Sequence, residues 1–244
     1  MTPRLAVLMP AFNERTALAP TLASLRDAAA GRYDVTVYVV DDGSEPPLPI
    51  ALPPSTGAGF CLVVARHPLN LGQGAALETA RQLALADAAR AGGAYDAFVT
   101  MDSDGQHGAC DALRLADGVR AGADVVFGDR FHGGSNVPFA RGMLLRAARL
   151  FEWALTGLRL ADAHNGLRAF SLRALTQIPI RQNGMAHATE IKQRIRRASP
   201  LVVTEAPVSV RYTKESLAKG QRSLGAFGIL HDLALHYIFG EGEA

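Results

Sequence analysis

Short, valine-rich apolar runs alternate along this chain with longer stretches of helical spacing, and nearly every run stops at acid or proline. No other feature restricts the fold as much. Strands separated by helices can lie parallel, because each helix carries the chain back across the sheet. "RLAVLMP" (4–10) reads as a strand stopped by Pro10. Helical spacing follows over 14–30, with Pro20 in or near its first turns and Gly31 just past its end. Further strands are expected at 34–44, 60–67, 95–104 and 123–131, with helices at 72–93 and 111–122 between them. Apolar runs of this kind suit strands covered on both faces, so the expectation is a parallel α/β sheet.

The charges collect at one place in that pattern. Asp41–Asp42, Asp102–Asp104 and Asp129–Arg130 all fall where expected strands end. Open α/β sheets bind ligands along that edge. "VTMDSDGQH" (99–107) is the sharpest case. The oxygens of a D-x-D pair can hold Mg²⁺ or Mn²⁺, which bridge to substrate phosphates and neutralise a departing diphosphate. A solvated acidic turn is the other reading of that spacing alone.

The second half is less regular. "GGSNVP" (133–138) reads as a loop and 139–160 as a helix carrying Arg141, Arg146 and Arg149. A short strand is expected at 166–171, a helix at 185–198, extended chain at 201–213 and an amphipathic helix at 223–239. The Pro-rich stretch 45–59 lies between two strands of one sheet and reads as a surface loop, not a linker. The expected organisation is one domain over 1–222 followed by a tail, 223–244, that contacts a membrane surface or a partner, or packs on the domain's own sheet.

Composition removes several classes. The 244 residues carry a formal charge of only +2, with no clustered basic face of the kind nucleic acid calls for. The two cysteines, Cys61 and Cys110, show no metal or disulfide spacing, which fits a reducing compartment. The N-terminal apolar run is too short for a signal peptide, and no run is long enough to span a bilayer. The expected setting is the cytoplasm, with any membrane contact peripheral.

Four motifs stand in order at the strand ends: "PAFNE" (10–14), "VVDDGS" (39–44), "NLGQGAALETA" (70–80) and "MDSDGQH" (101–107). Together they resemble family-2 glycosyltransferases of the GT-A fold. "GDRF" (128–131), "DAHNGLRAFS" (162–171), "ATEI" (188–191) and "EAPVSVRYT" (205–213) are similar to the dolichol- and polyprenyl-phosphate sugar transferase branch. "YTKESLAKGQ" (212–221) resembles the tail of a bacterial subgroup.

The resemblance implies a single GT-A domain, a mostly parallel sheet flanked by helices, and a nucleotide-sugar donor. It implies that Pro10, Phe12 and Glu14 line the nucleotide pocket and that Asp41 and Asp42 hydrogen-bond the base or ribose. Gly72 and Gly74 would let the backbone approach the nucleotide. Asp102, Asp104 and Gln106 would hold Mg²⁺ or Mn²⁺ with the diphosphate. Arg130, Arg168 and Arg211 would face phosphates, and Lys219, with Ser216 and Gln221, would close over the donor. Gln73 stands where many relatives carry lysine.

Asp42 could equally bond the turn amides of "DGS". Arg211 could pair with a surface carboxylate, and His107 reads as a bystander.

The reaction implied is inverting transfer of a sugar to a lipid or saccharide acceptor. A polyprenyl phosphate arrives largely ionised and needs cations to hold it. A saccharide hydroxyl, as in polysaccharide or O-antigen synthesis, needs a base, for which Asp162 and Glu190 are the candidates. Relatives that glycosylate hydroxyls often carry an acidic pair where this chain has Thr189–Glu190, which favours the phosphate. A catalytically degenerate nucleotide-sugar-binding scaffold is the remaining alternative.

Overall fold

The first strand, β1 (Arg4–Ala11), shows why the apolar runs lack polar alternation: both of its faces are covered. Leu5, Val7 and Met9 enter one core, while Ala6 and Leu8 enter the other. This computed structural model describes residues 2–49, 59–90, 95–130, 165–184, 186–198 and 200–210, with Trp153, Gly157, Leu158, Leu160 and Asp162.

The elements that follow are α1 (Leu18–Ala29), β2 (Asp34–Asp41), β3 (Phe60–Arg66), α2 (Gln73–Arg90), β4 (Ala97–Thr100), α3 (Ala109–Arg120) and β5 (Val125–Asp129). Next come β6 (Arg168–Phe170), α4 (Leu172–Gln177), α5 (Ala186–Arg197) and β7 (Val203–Pro207). The strands form one seven-stranded sheet in the order β3-β2-β1-β4-β6-β5-β7. Helices α1 and α3 cover one face, and α2, α4 and α5 cover the other.

Two features of the fold matter for the site. The sheet is mostly parallel, as the resemblance implies, and β6 is its antiparallel member, lying between β4 and β5 and separating them. Its pairings set Arg168 opposite Thr100 on one side and Phe127 on the other. Helix α1 begins at Leu18, four residues later than the spacing over 14–30 suggests. Residues before it serve a turn instead: Asn13 adopts φ 57°, a left-handed conformation that asparagine tolerates, and its amide oxygen accepts the Glu45 N–H at 3.3 Å. Pro20 then falls in the first turn of α1, where its missing N–H costs nothing. The expected helix 139–160, the loop 133–138 and the tail 223–239 lie outside the described residues, apart from isolated positions in the first.

Candidate active site

The loop after β4 is drawn tight by its own side chains. Asp104 accepts the Gln106 backbone N–H at 3.0 Å and the Gln106 side-chain amide at 2.7 Å. Ser103 Oγ donates to the Pro10 carbonyl at 2.9 Å and moors the loop to the end of β1. His107 Nδ1 accepts the Asp102 N–H at 3.2 Å, so in the neutral ring the proton sits on Nε2. Asp102 is also held from α2, where Gln73 Nε2 donates to its Oδ1 at 2.9 Å. Opposite, the chain passes at Gly166, where a Cβ would lie 2.6 Å from Asp102 Oδ2. A side chain there would displace the carboxylate.

Burial pushes the Asp102 carboxyl upward and the Asp104 charge adds to it, while His107 and Arg168 pull it down. A divalent cation beside such a carboxyl would favour its charged form. Two carboxylates and the Gln106 amide oxygen are hard donors that leave room for water and phosphate oxygens around Mg²⁺ or Mn²⁺. Among the described residues no three His, Cys, Asp or Glu side chains form a closed metal cage. The donors of Asp102, Asp104 and Gln106 fit a hard divalent cation that would complete its coordination with water and phosphate oxygens.

At the end of β2 both aspartates are buried and engaged. Asp41 accepts the Ser44 N–H at 3.0 Å and the Leu48 N–H at 3.2 Å, with Arg66 Nε 3.4 Å away. Asp42 accepts the Leu71 N–H at 3.0 Å and the Gly72 N–H at 2.8 Å, and meets His67 Nδ1 at 2.6 Å. The turn-amide role weighed for Asp42 thus belongs to Asp41, whereas Asp42 organises the entry to α2. Pro10 is buried, Glu14 is half-buried, and the Phe12 ring stands 44% exposed at the rim.

Between β5 and α5 the charged groups pair. Arg130 meets the buried Asp162 with Nε 2.7 Å from Oδ2 and Nη2 3.1 Å from Oδ1. Glu190 is also buried: one oxygen accepts the N–H groups of Arg181 at 2.9 Å and Gln182 at 2.8 Å, and the other meets Arg194 at 2.7 Å. Arg168 is 1% exposed, with its guanidinium carbon 6.0 Å from the Phe127 ring centroid. Its charge acts on Asp102 and also on His187, a buried residue that the motifs did not single out. Burial and then Arg168 push His187 down to about 4. The ring is neutral at pH 7, and its Nδ1–H donates to the Gly184 carbonyl.

Beyond β7 the Ser209 N–H donates to Asp111 at 2.8 Å, and Val210 bridges to His107. The chain thus runs past the D-x-D loop immediately before Arg211. Arg211, Lys219, Ser216 and Gln221 lie outside the described residues. A cavity of about 710 Å³ opens between the first turns of α1 and α3 and reaches Asp104, His107 and Ser209.

Acid pairs at the ends of β2 and β4, the glycine turn before α2 and an arginine on the inserted β6 form one strand-end constellation. Residues 6–178 match the pattern of glycosyl transferase family 2. The chain belongs to that family. It is a glycosyltransferase of the GT-A fold, and it resembles the polyprenyl-phosphate branch. It is 31% identical over 237 residues to the undecaprenyl-phosphate mannosyltransferase of Micrococcus luteus, covering 92% of this chain and 90% of that one. It is 32% identical over 187 residues to the polyprenol monophosphomannose synthase of Mycolicibacterium smegmatis, covering 73% and 66%. Among solved structures, the fold matches Mycobacterium tuberculosis glucosyl-3-phosphoglycerate synthase in complex with Mn²⁺, UDP and phosphoglyceric acid. That match has a TM-score of 0.56 at 18% identity and covers 89% of this chain and 74% of that one.

Proposed function

We propose that this glycosyltransferase is metal-dependent and inverting, and that it moves a sugar from a nucleotide-diphosphate sugar to a polyprenyl phosphate. The arginine-held state of Asp162 and Glu190 carries the choice of acceptor. A base must have a lone pair aimed at the incoming hydroxyl. Both candidate carboxylates already spend their oxygens on Arg130, Arg194 and backbone amides. An ionised phosphate needs no base, and the names of the Micrococcus and Mycolicibacterium relatives support that acceptor class.

In this reading Asp102, Asp104 and Gln106 hold Mg²⁺ or Mn²⁺, which neutralises charge on the departing diphosphate. Phe12 offers its exposed ring to the base, beside Pro10 and Glu14 and the turns that Asp41 and Asp42 hold together from below, while Gly72 and Gly74 set the start of α2 against residues 181–184. Arg130, Arg168, Arg211 and Lys219 supply the positive field for the phosphates. The acceptor phosphate oxygen attacks the anomeric carbon from the face opposite the diphosphate. One C–O bond forms as the other breaks, the nucleoside diphosphate leaves, and the configuration inverts.

The test offers nucleotide sugars with undecaprenyl phosphate in detergent, in parallel with free saccharides. Transfer to the lipid phosphate, lost in EDTA and restored by Mn²⁺, is the expected result. Transfer to saccharide hydroxyls alone would replace the acceptor assignment, and full turnover in EDTA would remove the metal.

A further inference from the structure

We infer that Glu190 and Gln73 are positioning residues in a single relay that sets the Asp102 carboxylate for its metal. The inference rests on the reading of Asp102 as a metal ligand. It begins at Arg194, whose Nε and Nη2 lie 2.8 and 2.7 Å from Glu190 Oε1. The other oxygen, Oε2, accepts two consecutive backbone N–H groups, Arg181 at 2.9 Å and Gln182 at 2.8 Å. Those bonds fix the segment 181–184 at one end, and the His187 bond to the Gly184 carbonyl fixes it at the other.

The fixed segment is pressed onto the start of α2. A Cβ on Gly74 would lie 1.9 Å from the Gln182 carbonyl oxygen, and one on Gly72 would lie 3.2 Å from Asn183 Cβ. Between these two glycines stands Gln73, whose Nε2 donates to Asp102 Oδ1 at 2.9 Å. Each link touches the next, so a shift of 181–184 moves the Gln73 backbone and with it the donor on Asp102. Close-packed contacts transmit such displacements with little slack.

A carboxamide suits the last position. It orients Asp102 with one N–H and leaves the negative charge for a cation. In this relay Glu190 handles no proton. Its carboxylate is a clamp on two amides, and its effect on the reaction travels through residues 181–184 and 73.

The test measures the Mn²⁺ dissociation constant of the full chain in the presence of UDP or GDP, by electron paramagnetic resonance of free Mn²⁺ read against the nucleotide alone, with Tm read on the same samples. Gln73→Ala should weaken Mn²⁺ binding about tenfold while Tm stays at the wild-type value. Glu190→Gln should weaken it to a similar degree, and the double variant should bind no more weakly than the weaker single one, because both act on one link. Arg194→Ala, at the outer end of the relay, replaces Glu190→Gln if that variant does not fold. Wild-type Mn²⁺ affinity in the folded Glu190 or Arg194 variant would overturn the relay, and so would losses that multiply in the double variant. A wild-type chain that binds no Mn²⁺ would remove the metal reading itself and the relay with it, an outcome distinct from the other two.

Discussion

Asp104 and Gln106 are bound to each other twice, and on the proposed reading they present their oxygens as one unit. Asp104→Asn keeps the shape and removes the charge. It should lower kcat at least about a hundredfold, roughly 2.7 kcal/mol of barrier, with little change in Tm because the side chain is only half-buried. Steady-state kinetics beside a thermal melt checks this. His187 carries a second prediction, through stability. Unfolded it titrates near 6.5, and folded it is pushed down to about 4, with Arg168 opposing its protonation and Glu190 favouring it. Between those values the unfolded chain binds the extra proton. Stability from this residue is therefore complete above about pH 6.5 and is lost as the pH falls towards 4, by up to about 3 kcal/mol. Urea titrations across that window should show the slope, and His187→Gln should flatten it. Arg168→Met removes the neighbouring cation, so the His187 titration followed by NMR should move upward. An unmoved His187 would mean that burial alone sets its pKa.

At the level of elements, the glycine turn before α2 is where packing is tightest. Gly74→Ala sets a methyl group against the Gln182 carbonyl, a contact that only backbone movement can relieve. It should cost about 1–3 kcal/mol in chemical denaturation and lower activity with it. The glycines of "GQG" are readable in the sequence as places of close approach, but their partner is not. The resemblance offers a nucleotide, and the structure puts the 181–184 segment, more than a hundred residues away, against the same turn. Helix α4 tells the opposite story. Ser171 caps it by accepting the Ala174 N–H at 3.1 Å, a signal that the residues after "GLRAF" carry locally. Its six residues are simply too few to show a period.

Across the whole molecule the charge is divided. Residues 1–130 hold ten Lys and Arg against fifteen Asp and Glu, and residues 131–244 hold fifteen against eight. The near-neutral total hides an acidic half that carries the D-x-D and a basic half that follows it. Among the described residues no helix is long and apolar enough to cross a membrane. We propose that contact with a lipid surface uses the basic half and the tail 223–244. The full chain should co-sediment with anionic vesicles at low salt and detach as salt rises. A variant ending at residue 222 drops a tail that carries no Lys or Arg; it should bind those vesicles more weakly while keeping nucleotide binding, read as a thermal shift with UDP or GDP and Mn²⁺. An intact chain that never sediments would assign the tail to the domain's own packing.

The sequence by itself determined the layered α/β arrangement, the edge of the sheet that carries the acids, and the place of Asp102 and Asp104 along it. These are local facts: apolar periodicity and the residues that stop each run. Only the tertiary structure decided that β6 enters antiparallel between β4 and β5, because a three-residue strand buried on both sides has no period to read. It alone brought Gln73 and Gly166 to Asp102, Arg130 to Asp162, and residues 181–182 to Glu190. The first three pairings join residues far apart along the chain, and residues 181–182, nine and eight positions before Glu190, lie outside its helix. Their pairing follows from close packing and from the need of each buried carboxylate for donors, and neither is written in the spacing around any one residue.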